Sequence, residues 1–526
     1  MRSNFKYMRL WLVGILLCVP LWAAAKSVRW VGANDIQTWD IHSQTSSFQS
    51  GIHAAVYESL VYFGGAAFRP QPVLATQWER PEPTRWRFYL RKGVLFHDGS
   101  LFTADDVVFS LNRARADTST FQVYMAQIAE VRKINAYTVD ILTEGVNPTL
   151  LEQLTELRIM SQPWAKANRS LAPKDIQNTK DDTVAHRSTN GTGPYKLKLW
   201  VPKKMVVLER NPSWWGGAIS VDEVVYSVVP QETRRAAMLT QGMADLLTDP
   251  SPQDLYRLQQ APDIAIKRGV EARTLMIGMD QFSDKLRVNS GASGNPLKDV
   301  RVRQALYQAI DMSVLRDVLM RDLMEETGTL VPPATLGWSE ALDQRRPYSP
   351  IEVTKLLAEA GYPNGFTADF ACPRGRYIND VEVCKVIAGM WAQFGIRTRL
   401  RTLSSTTFLT MLERNEADIF LLGWGSVTFD AMYTLQALVH SVGSEGDGSF
   451  NTGRFSNAKI DALIDAARKE SDAQQRLLYM QQALAMQSKL VAWIPLYNQQ
   501  IVWAMKEGLR ISPRPDNRID WRVLSW

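Results

Sequence analysis

The chain has 526 residues, of which 45% are hydrophobic and 22% are charged, a composition typical of folded globular proteins that excludes general disorder. Its formal net charge of +6 is spread along the chain, which argues against a nucleic-acid-binding surface.

Residues 1–25 have the pattern of a targeting segment. Three basic residues near the start are followed by an apolar run over residues 10–22 and by alanines at 23–25. The apolar run is shorter than the roughly 20 residues that a membrane-spanning helix needs. Bulky Leu17 directly before Cys18 disfavours lipid attachment at that cysteine. We therefore expect cleavage near Ala25 and a soluble, exported mature chain.

The mature chain is too long for one hydrophobic core. Removing residues 1–25 leaves 501 of the 526 residues, so we expect two or three domains. Cys372 and Cys384 then remain, and in an oxidising compartment they are candidates for a disulfide bond. Two free thiols are the alternative, because sequence spacing does not fix the distance between the two Cα atoms.

The N-terminal part of the mature chain alternates short strands with amphipathic runs. The pattern predicts a strand at 28–31, a helix at 52–60, a strand at 86–90, and a strand with a turn at 91–99. Thr103, with Asp106 three residues later, predicts the start of a helix.

The middle of the chain contains a polar linker and a second group of strands. Residues 170–190 are polar, and the turn sequence Gly-Thr-Gly-Pro at 191–194 leads into predicted strands at 195–200, 205–208 and 221–229. A polar loop is predicted at 287–296, followed by one long amphipathic helix at 299–320.

Residues 367–422 show the clearest architecture. Strands are predicted at 367–372, 396–403 and 418–422, with helices at 380–394 and 408–414 between them. This βαβαβ order implies parallel strands whose carboxyl-end loops, 373–377 and 423–425, face the same cleft. A Gly-rich loop at 443–453 and two helices within 457–489 complete the prediction.

Several side chains on these loops have the chemistry of ligand-binding groups. Trp424 follows a continuously apolar strand between two glycines, at the strand end where open α/β sheets bind ligands. Arginine forks pair with carboxylates, and aromatic walls bury the apolar parts of small ligands. The candidate binding residues are Trp424, Arg374, Arg376, Asp430, Phe48, Phe121 and Tyr124. The alternative is that each is an ordinary core or surface residue.

No metal-binding or catalytic pattern is visible in the sequence. The five histidines are scattered: His42, His53, His97, His186 and His440. The chain has neither a Gly-x-Ser-x-Gly elbow nor a phosphate-binding Gly-Lys-Ser/Thr loop. We therefore expect no enzyme, no cofactor and no protein-ligated metal.

Residues 90–111, LRKGVLFHDGSLFTADDVVFSL, closely resemble the signature of the family 5 extracellular solute-binding proteins, which serve dipeptide, oligopeptide and nickel ABC importers. Further blocks resemble the same family in the same order: residues 191–195, 209–216, 299–306 with 309–311, 357–366 and 494–497. The resemblance therefore covers essentially the whole mature chain.

This resemblance implies a two-lobed α/β fold of the type II periplasmic binding proteins, with a subdomain inserted into the first lobe. Lobe I would comprise residues 26–65, 188–272 and 490–526, the inserted subdomain residues 66–187, and lobe II residues 273–489. The resemblance also implies a monomeric periplasmic receptor that closes on a small ligand and delivers it to an ABC permease.

A short peptide is the leading ligand class, with Arg374 or Arg376 holding its carboxylate end. Peptide binders of this family hold the amino terminus with an aspartate shortly after the Gly-Trp pair, where this chain has Val427. Asp430 is the candidate substitute. A glutathione-like peptide, a metal chelate or another solute remain alternatives. A chaperone or sensor on the same scaffold, or an exported hydrolase, are the alternatives from other classes.

Overall fold

A computed structural model describes residues 26–65, 67–174, 183–288, 294–321, 323–443 and 446–526. The predicted targeting segment at 1–25 lies outside the described residues, as do parts of the predicted linker and of the loops at 287–296 and 443–453. Among the described residues, no helix combines the length and the apolar character needed to cross a lipid bilayer.

The first part of the chain builds two antiparallel sheets. Its elements are β1 (Ser27–Gly32), α1 (Ser47–His53), β2 (Val61–Gly64), β3 (Arg69–Pro72), β4 (Ala75–Glu82), β5 (Arg85–Leu90), α2 (Ala104–Ala114), α3 (Gln122–Met125), β6 (Ile128–Asn135) and β7 (Thr138–Thr143). β2 pairs with β3, and a four-stranded sheet has the order β4-β5-β7-β6. The predicted capping box is confirmed, because the Asp106 carboxylate accepts a 2.9 Å hydrogen bond from the Thr103 amide.

The next part continues into the main sheet of lobe I. Its elements are α4 (Leu150–Leu154), α5 (Gln162–Ala167), α6 (Val184–Arg187), β8 (Tyr195–Val201), β9 (Met205–Arg210), β10 (Glu223–Val228), α7 (Glu232–Thr240), β11 (Leu246–Leu247), α8 (Pro252–Gln259) and β12 (Ile264–Met279). β1 pairs in parallel with both β10 and β11, while β8, β9 and β10 are joined antiparallel.

The last part forms lobe II and returns to lobe I. Its elements are α9 (Val300–Gln308), β13 (Met324–Glu326), α10 (Pro350–Glu359), β14 (Thr367–Arg374), α11 (Asp380–Ala392), β15 (Arg397–Ser404), α12 (Ser405–Glu413), β16 (Ile419–Gly425), α13 (Ala431–Thr434), α14 (Ala458–Lys469), α15 (Ala473–Leu490) and β17 (Ile494–Lys506). The βαβαβ prediction is confirmed, because β14 pairs in parallel with both β15 and β16.

Both faces of the lobe II sheet are covered by apolar cores, as the continuous apolar run of β16 predicts. Ile419 and Leu421 pack into one core together with Phe370 and Trp391, whereas Phe420 packs into the other core. Successive side chains of a strand point to opposite faces, so a strand buried on both faces has no polar alternation.

β12 and β17 run through both lobes as a continuous antiparallel pair. Residues 264–270 of β12 pair with residues 500–506 of β17, and residues 274–277 pair with residues 494–498 after an irregularity between Val270 and Thr274. On its other edge, β12 pairs with β16 over residues 273–279. The main sheet is therefore shared between the lobes, and the change of register marks the crossing point.

The C-terminal residues close lobe I against its N-terminal elements. The Trp521 indole donates a 2.7 Å hydrogen bond to the carbonyl of Gly51, 470 residues earlier. The Trp526 indole donates a 3.0 Å hydrogen bond to the carbonyl of Ser27. Lobe I is thus assembled from both ends of the described chain.

Two of the family-like blocks form one buried junction in lobe I. The Glu58 carboxylate accepts hydrogen bonds from Thr192 Oγ1 at 2.8 Å, Trp214 Nε1 at 3.1 Å and Trp215 Nε1 at 2.8 Å. At Gly191, a Cβ atom would lie 1.9 Å from the carbonyl oxygen of Val56. The backbone approach at this junction therefore requires glycine.

Three predicted elements differ from the structure. The helix predicted at 52–60 is wrong, because α1 ends at His53 and the carbonyls of Ala55 and Val56 accept hydrogen bonds from Tyr195 and Gly193 at 2.9 Å instead of continuing a helix. Residues 91–99 form turns without the predicted strand, since Gly93 and Gly99 have φ values of 76° and 87°.

The long helix predicted at 299–320 is interrupted. α9 ends at Gln308, and a separate π-helical segment covers Val314–Met320. Between them, the Asp311 carboxylate accepts hydrogen bonds from the amide of Ser313 at 3.0 Å and its hydroxyl at 2.6 Å. This local side-chain capping competes with helix continuation, although the apolar periodicity runs through the whole segment.

Candidate functional site

The predicted juxtaposition of two strand-end loops is present in lobe II. The Tyr377 hydroxyl, from the loop after β14, accepts a 2.8 Å hydrogen bond from the Gly423 amide of β16 and lies 3.3 Å from its carbonyl. A Cβ atom at Gly423 would lie 2.6 Å from the Tyr377 ring, so the close approach requires glycine. Arg376 donates a 3.0 Å hydrogen bond to the same hydroxyl.

Trp424 lies at this strand end with its ring packed between two other aromatic rings. It is 8% exposed, stacks on Tyr433 at 5.1 Å and contacts Phe450 at 5.0 Å between ring centroids. Its indole Nε1 is buried and has no hydrogen-bond partner among the described residues. A buried donor without a partner is costly, and a ligand acceptor would satisfy it.

Asp430 does not offer a free carboxylate, which corrects the sequence assignment. It is 1% exposed and forms a bidentate ion pair with Arg476, at 2.7 and 3.0 Å. The same carboxylate caps α13 by accepting a 2.8 Å hydrogen bond from the Met432 amide. Its charge is therefore already paired within lobe II. Val427 is 46% exposed and carries no polar group.

A cavity of about 200 Å³ lies where lobe I meets the crossing strands. Its aromatic wall contains Trp30, Phe48 and Trp521, whose rings lie 5.8 Å (Trp30 to Phe48) and 6.1 Å (Trp30 to Trp521) apart. The Trp30 indole is held by a 3.2 Å hydrogen bond to Thr248 Oγ1 at the end of β11. Phe48 is thus a predicted binding residue that lines a cavity.

Asp249 is an accessible carboxylate in the wall of this cavity. It follows Thr248, directly after β11, so it lies at the carboxyl end of a strand that is parallel to β1. No cation of the described residues lies within 4.0 Å of its carboxylate. The surrounding protein partly desolvates this exposed carboxylate and raises its pKa, and a hydrogen bond with Asn517 opposes this with a smaller effect.

Arg273 and Glu271 connect the cavity to the lobe II loops. Arg273 donates a 3.1 Å hydrogen bond to Glu271, and both residues line the cavity. Gln499 of β17 donates to Glu271 at 3.2 Å and accepts a 3.4 Å hydrogen bond from the amide of Ile378. A hydrogen-bonded path therefore runs from the cavity through β17 to the loop after β14.

The remaining predicted residues lie elsewhere. Arg374 and Arg376 are exposed at the end of β14 and are not part of the cavity wall. Phe121 is 2% exposed and packs against His42 and Tyr124 in the inserted subdomain, so its position is that of a core residue. Burial and the nearby Glu156 carboxylate raise the pKa of Tyr124 to about 12.

A second, smaller cavity of about 80 Å³ shares Asp516, Arg518, Ile519 and Trp521 with the first. Arg518, which lines both, forms an ion pair with Glu156 and has a raised pKa, since this attraction outweighs the burial of its guanidinium. Burial lowers the pKa of Arg158 to about 10. Arg158 instead donates hydrogen bonds to the Ser59 hydroxyl and the Thr155 carbonyl, so the polar groups of both arginines are engaged within the protein.

The two lobes also contact each other directly beside the site. Phe429 of lobe II packs against Phe63 and Phe68, with 4.6 Å between ring centroids in each case. Arg69 donates a 2.9 Å hydrogen bond to the carbonyl of Ala334 in lobe II. Glu152 of the inserted subdomain lies in the same region, and its Oε2 atom is buried without a hydrogen-bond partner among the described residues.

Sequence reasoning missed Asp249, Arg273 and Glu271. The strand-end rule that selected Trp424 also applies to Asp249, but β11 has only two residues and gives no periodic pattern. Arg273 and Glu271 lie within the long strand β12, where the sequence gives no sign that the strand crosses between lobes.

Comparisons with known proteins agree with this architecture. A family model described as "Bacterial extracellular solute-binding proteins, family 5 Middle" matches residues 69–446. The chain is 27% identical over 466 residues to heme-binding protein A of Haemophilus influenzae, covering 84% of this chain and 81% of the relative. It is 27% identical over 467 residues to the dipeptide-binding protein of Escherichia coli, covering 84% and 83%.

Among solved structures, HbpA2 from Haemophilus parasuis superimposes with a TM-score of 0.82 at 22% sequence identity. The superposition covers 95% of this chain and 99% of that chain. At this identity the likeness establishes the fold, including the two lobes, and leaves the ligand open.

Proposed function

Because the chain belongs to the bacterial extracellular solute-binding proteins of family 5, we propose that it is the periplasmic receptor of an ABC importer for a short peptide. It closes its two lobes on the ligand and presents the closed form to the permease. It acts as a monomer, without a cofactor and without catalysing a reaction. The proposed limits remain 26–65, 188–272 and 490–526 for lobe I, 66–187 for the inserted subdomain and 273–489 for lobe II, with β12 and β17 crossing between the lobes.

The observation that carries this proposal is the cavity at the crossing strands, which combines an accessible carboxylate, a guanidinium and an aromatic wall. Small-ligand sites are mostly apolar concavities with a few convergent polar groups that fix orientation. Hinge closure around such a site is a common mode of solute capture. The irregular pairing between Val270 and Thr274 gives the shared strands a place to bend.

We assign the ligand's amino group to Asp249. Val427 replaces the acidic residue of the peptide binders, and Asp430 is neutralised by Arg476. Asp249 has no cation within 4.0 Å among the described residues, so an ammonium group would pair with it without displacing another charge. In this protein the amine-binding carboxylate would therefore lie in lobe I, whereas in the peptide binders it lies in lobe II.

We assign the ligand's carboxylate to Arg273, which also lines the cavity and uses one of its five N–H groups for the 3.1 Å hydrogen bond to Glu271. Arg374 and Arg376, exposed at the end of β14, add positive charge that attracts an anionic group during encounter. Trp424 is not part of the cavity wall, and its unpartnered indole N–H is the proposed donor to a ligand oxygen from the lobe II side.

The cavity volume separates the candidate ligand classes. About 200 Å³ is less than the roughly 300–1,000 Å³ of typical ligand pockets, so the lobes separate before a solute enters. A tetrapyrrole, as in the name of the Haemophilus influenzae relative, exceeds this volume. A dipeptide is the closest match in size, and a tripeptide, including a glutathione-like one, requires a wider separation of the lobes.

Isothermal titration of the purified protein with a panel of dipeptides, tripeptides, glutathione and their N-acetylated forms tests the proposal. We expect binding of at least one free peptide and loss of binding on N-acetylation. Asp249→Asn should weaken binding at least about tenfold, or about 1.4 kcal/mol. Asp263→Asn is the matched control, because Asp263 is an exposed lobe I carboxylate outside the cavity, and should change nothing.

Small-angle scattering with a bound peptide should show a smaller radius of gyration. A peptide that binds without compaction would contradict the closure mechanism. Equal binding of free and N-acetylated peptides, with no effect of Asp249→Asn, would contradict the assignment of Asp249 while leaving the receptor function intact.

A further inference from the structure

A histidine and several carboxylates meet in lobe II, away from the residues that line the cavity. His440 follows the π-helical segment Leu435–Val439, Asp447 lies on the loop after it, and Asp465 lies on α14. One ligand-type atom of each of these three residues lies within 4.8 Å of the other two. This group was not predictable from local sequence patterns, because its members lie on three separate elements that only the fold brings together.

The hydrogen bond made by His440 Nδ1 determines which ring nitrogen carries the hydrogen, and so whether Nε2 has a free lone pair. Nδ1 lies 2.7 Å from the carbonyl oxygen of Ser441, which can only accept, so Nδ1 carries the hydrogen. In the neutral ring, Nε2 then holds a bare lone pair. Metal-binding histidines usually have this arrangement, with the second ring nitrogen donating to a carbonyl or carboxylate.

The free ring nitrogen points at carboxylate oxygens and not at a hydrogen-bond donor. His440 is 9% exposed, and its Nε2 atom is buried without a hydrogen-bond partner among the described residues. Nε2 lies 3.6 Å from Asp465 Oδ1 and 4.0 Å from Asp447 Oδ2. A lone pair facing two carboxylates is repulsive unless a cation lies between them.

These separations fit a shared cation better than a direct ion pair. A protonated Nε2 would form hydrogen bonds of about 2.7–3.2 Å, shorter than either observed distance. Two ligands of a tetrahedral zinc ion lie about 3.3 Å apart, given zinc–ligand distances of about 2.0–2.1 Å. To reach that spacing, the separations of Nε2 from Asp465 Oδ1 and Asp447 Oδ2 would shorten by about 0.3 Å and about 0.7 Å, from 3.6 and 4.0 Å, and the two carboxylate oxygens would close around the same ion.

The charges around the group also favour a divalent cation. Asp447, Asp461 and Asp465 carry three negative charges, and Arg468 Nη2 pairs with Asp447 Oδ1 and lies 3.6 Å from Asp465 Oδ1. This leaves an excess of two negative charges among these described residues. Asp461 is engaged with the Ser441 amide at 3.0 Å and hydroxyl at 2.7 Å, so it braces the loop that carries the histidine.

We propose that His440 Nε2, Asp447 Oδ2 and Asp465 Oδ1 bind a zinc ion, with water completing a tetrahedral shell. One imidazole and two carboxylates suit zinc better than the oxygen-only preference of calcium or magnesium. The Asp465 side chain is 46% exposed and provides the entry path. Arg468 and Ser441 orient Asp447 and His440 from outside the metal shell.

The ion would connect the loop after the π-helical segment to α14. The ion would act independently of solute capture, because the three residues that bind it belong to lobe II alone and do not line the cavity. Its expected effect is local stabilisation of lobe II by mass action, which grows with the free zinc concentration.

Titration of the untagged, chelator-stripped full protein with zinc chloride tests the proposal. We expect one site, which His440→Gln and Asp465→Asn each weaken at least tenfold. His440→Gln leaves the carboxylates unchanged, so it separates coordination from general electrostatic attraction. Glu413→Gln, an exposed carboxylate on α12, is the control and should bind zinc as the parent does.

Anomalous scattering at the zinc edge from a zinc-soaked crystal should place the ion between the three side chains. A parent protein that binds no zinc, or a His440→Gln variant that binds as the parent does, would overturn the proposal. Circular dichroism of the metal-free variants shows whether they are folded. A variant that fails to fold is replaced by Asp447→Asn, which should show the same tenfold loss.

Discussion

At the scale of single residues, glycines mark the places where the backbone approaches itself most closely. A Cβ at Gly191 would lie 1.9 Å from the Val56 carbonyl oxygen. Gly389, inside α11, has no atom within 4 Å of the corresponding position. One glycine is therefore required by packing, whereas the other only lowers helix propensity.

We expect Gly191→Ala to destabilise the protein by about 3 kcal/mol or more, because the backbone of two segments has to separate. Gly389→Ala should stabilise it by up to about 1 kcal/mol, since alanine is the better helix former. Urea unfolding of both variants measures this. A Gly191→Ala variant as stable as the parent would show that the junction is loosely packed.

Trp424 provides a residue-scale test of the site that keeps the aromatic packing. Trp424→Phe removes the unpartnered indole N–H but retains a ring against Tyr433 and Phe450. We expect peptide affinity to fall about tenfold, the effect of one lost buried hydrogen bond, in isothermal titration. Trp391→Phe, at a core position on the other face of the sheet, is the control for general loosening. Equal affinities in both variants and the parent would remove Trp424 from the site.

At the scale of elements, the unit β14-α11 is held by a covalent link. Cys372 of β14 and Cys384 of α11 form a disulfide with their Cα atoms 6.4 Å apart. Closing a loop of this length restricts the unfolded chain by about 3 kcal/mol in the chain-entropy model. The link lies directly before the loop that carries Arg374, Arg376 and Tyr377.

We expect the double variant Cys372→Ala, Cys384→Ala to lose about 3 kcal/mol of stability in lobe II. Reduction of the parent with dithiothreitol should produce a similar loss, whereas reduction should not affect the double variant. Thermal unfolding under both conditions measures this. A parent that melts at the same temperature with and without reductant would contradict it.

The elements were predictable where local pattern and tertiary context agree. The βαβαβ unit has strong alternation of apolar strands and amphipathic helices, and its order determined which loops face each other. The helix predicted at 52–60 was wrong because the amides of Gly193 and Tyr195, far away in sequence, donate hydrogen bonds to the carbonyls that would continue the helix.

Asp430 was misassigned because its partner Arg476 lies 46 residues away. Asp249 and the His440 group needed the fold for the same reason.

At the scale of the whole molecule, the region where the lobes meet buries an oxygen atom of the Glu152 carboxyl group. Burial and the nearby Asp430 carboxylate raise the pKa of Glu152 to about 8, against weaker opposing effects of Arg476 and Arg69. When the lobes separate, water reaches Glu152 and its pKa returns towards its ordinary value of 4.5. We therefore expect the closed form to hold a proton on Glu152 that the open form releases at neutral pH.

The sign of the pH effect follows from this difference. Protonation of Glu152 stabilises the closed form relative to the open form, and this stabilisation is fully present below about pH 4.5. It falls by about 1.4 kcal/mol per pH unit above that value and is lost at about pH 8. We expect peptide affinity to fall at least about tenfold between pH 6.5 and 8.5. Glu152→Gln, which mimics the protonated form, should flatten the profile. A parent profile that matches that of Glu152→Gln would contradict this role.

The return of the C-terminal residues to lobe I also has a consequence for the order of folding. Synthesis is directional, so β1 and α1 exist long before the partners of Ser27 and Gly51, which are Trp526 and Trp521. Contacts across nearly 500 residues carry a large loop-closure cost. The contiguous lobe II is then the natural early-folding unit. Lobe I is completed last, and until β17 pairs with β11, the free edge of β11 is exposed and vulnerable to aggregation.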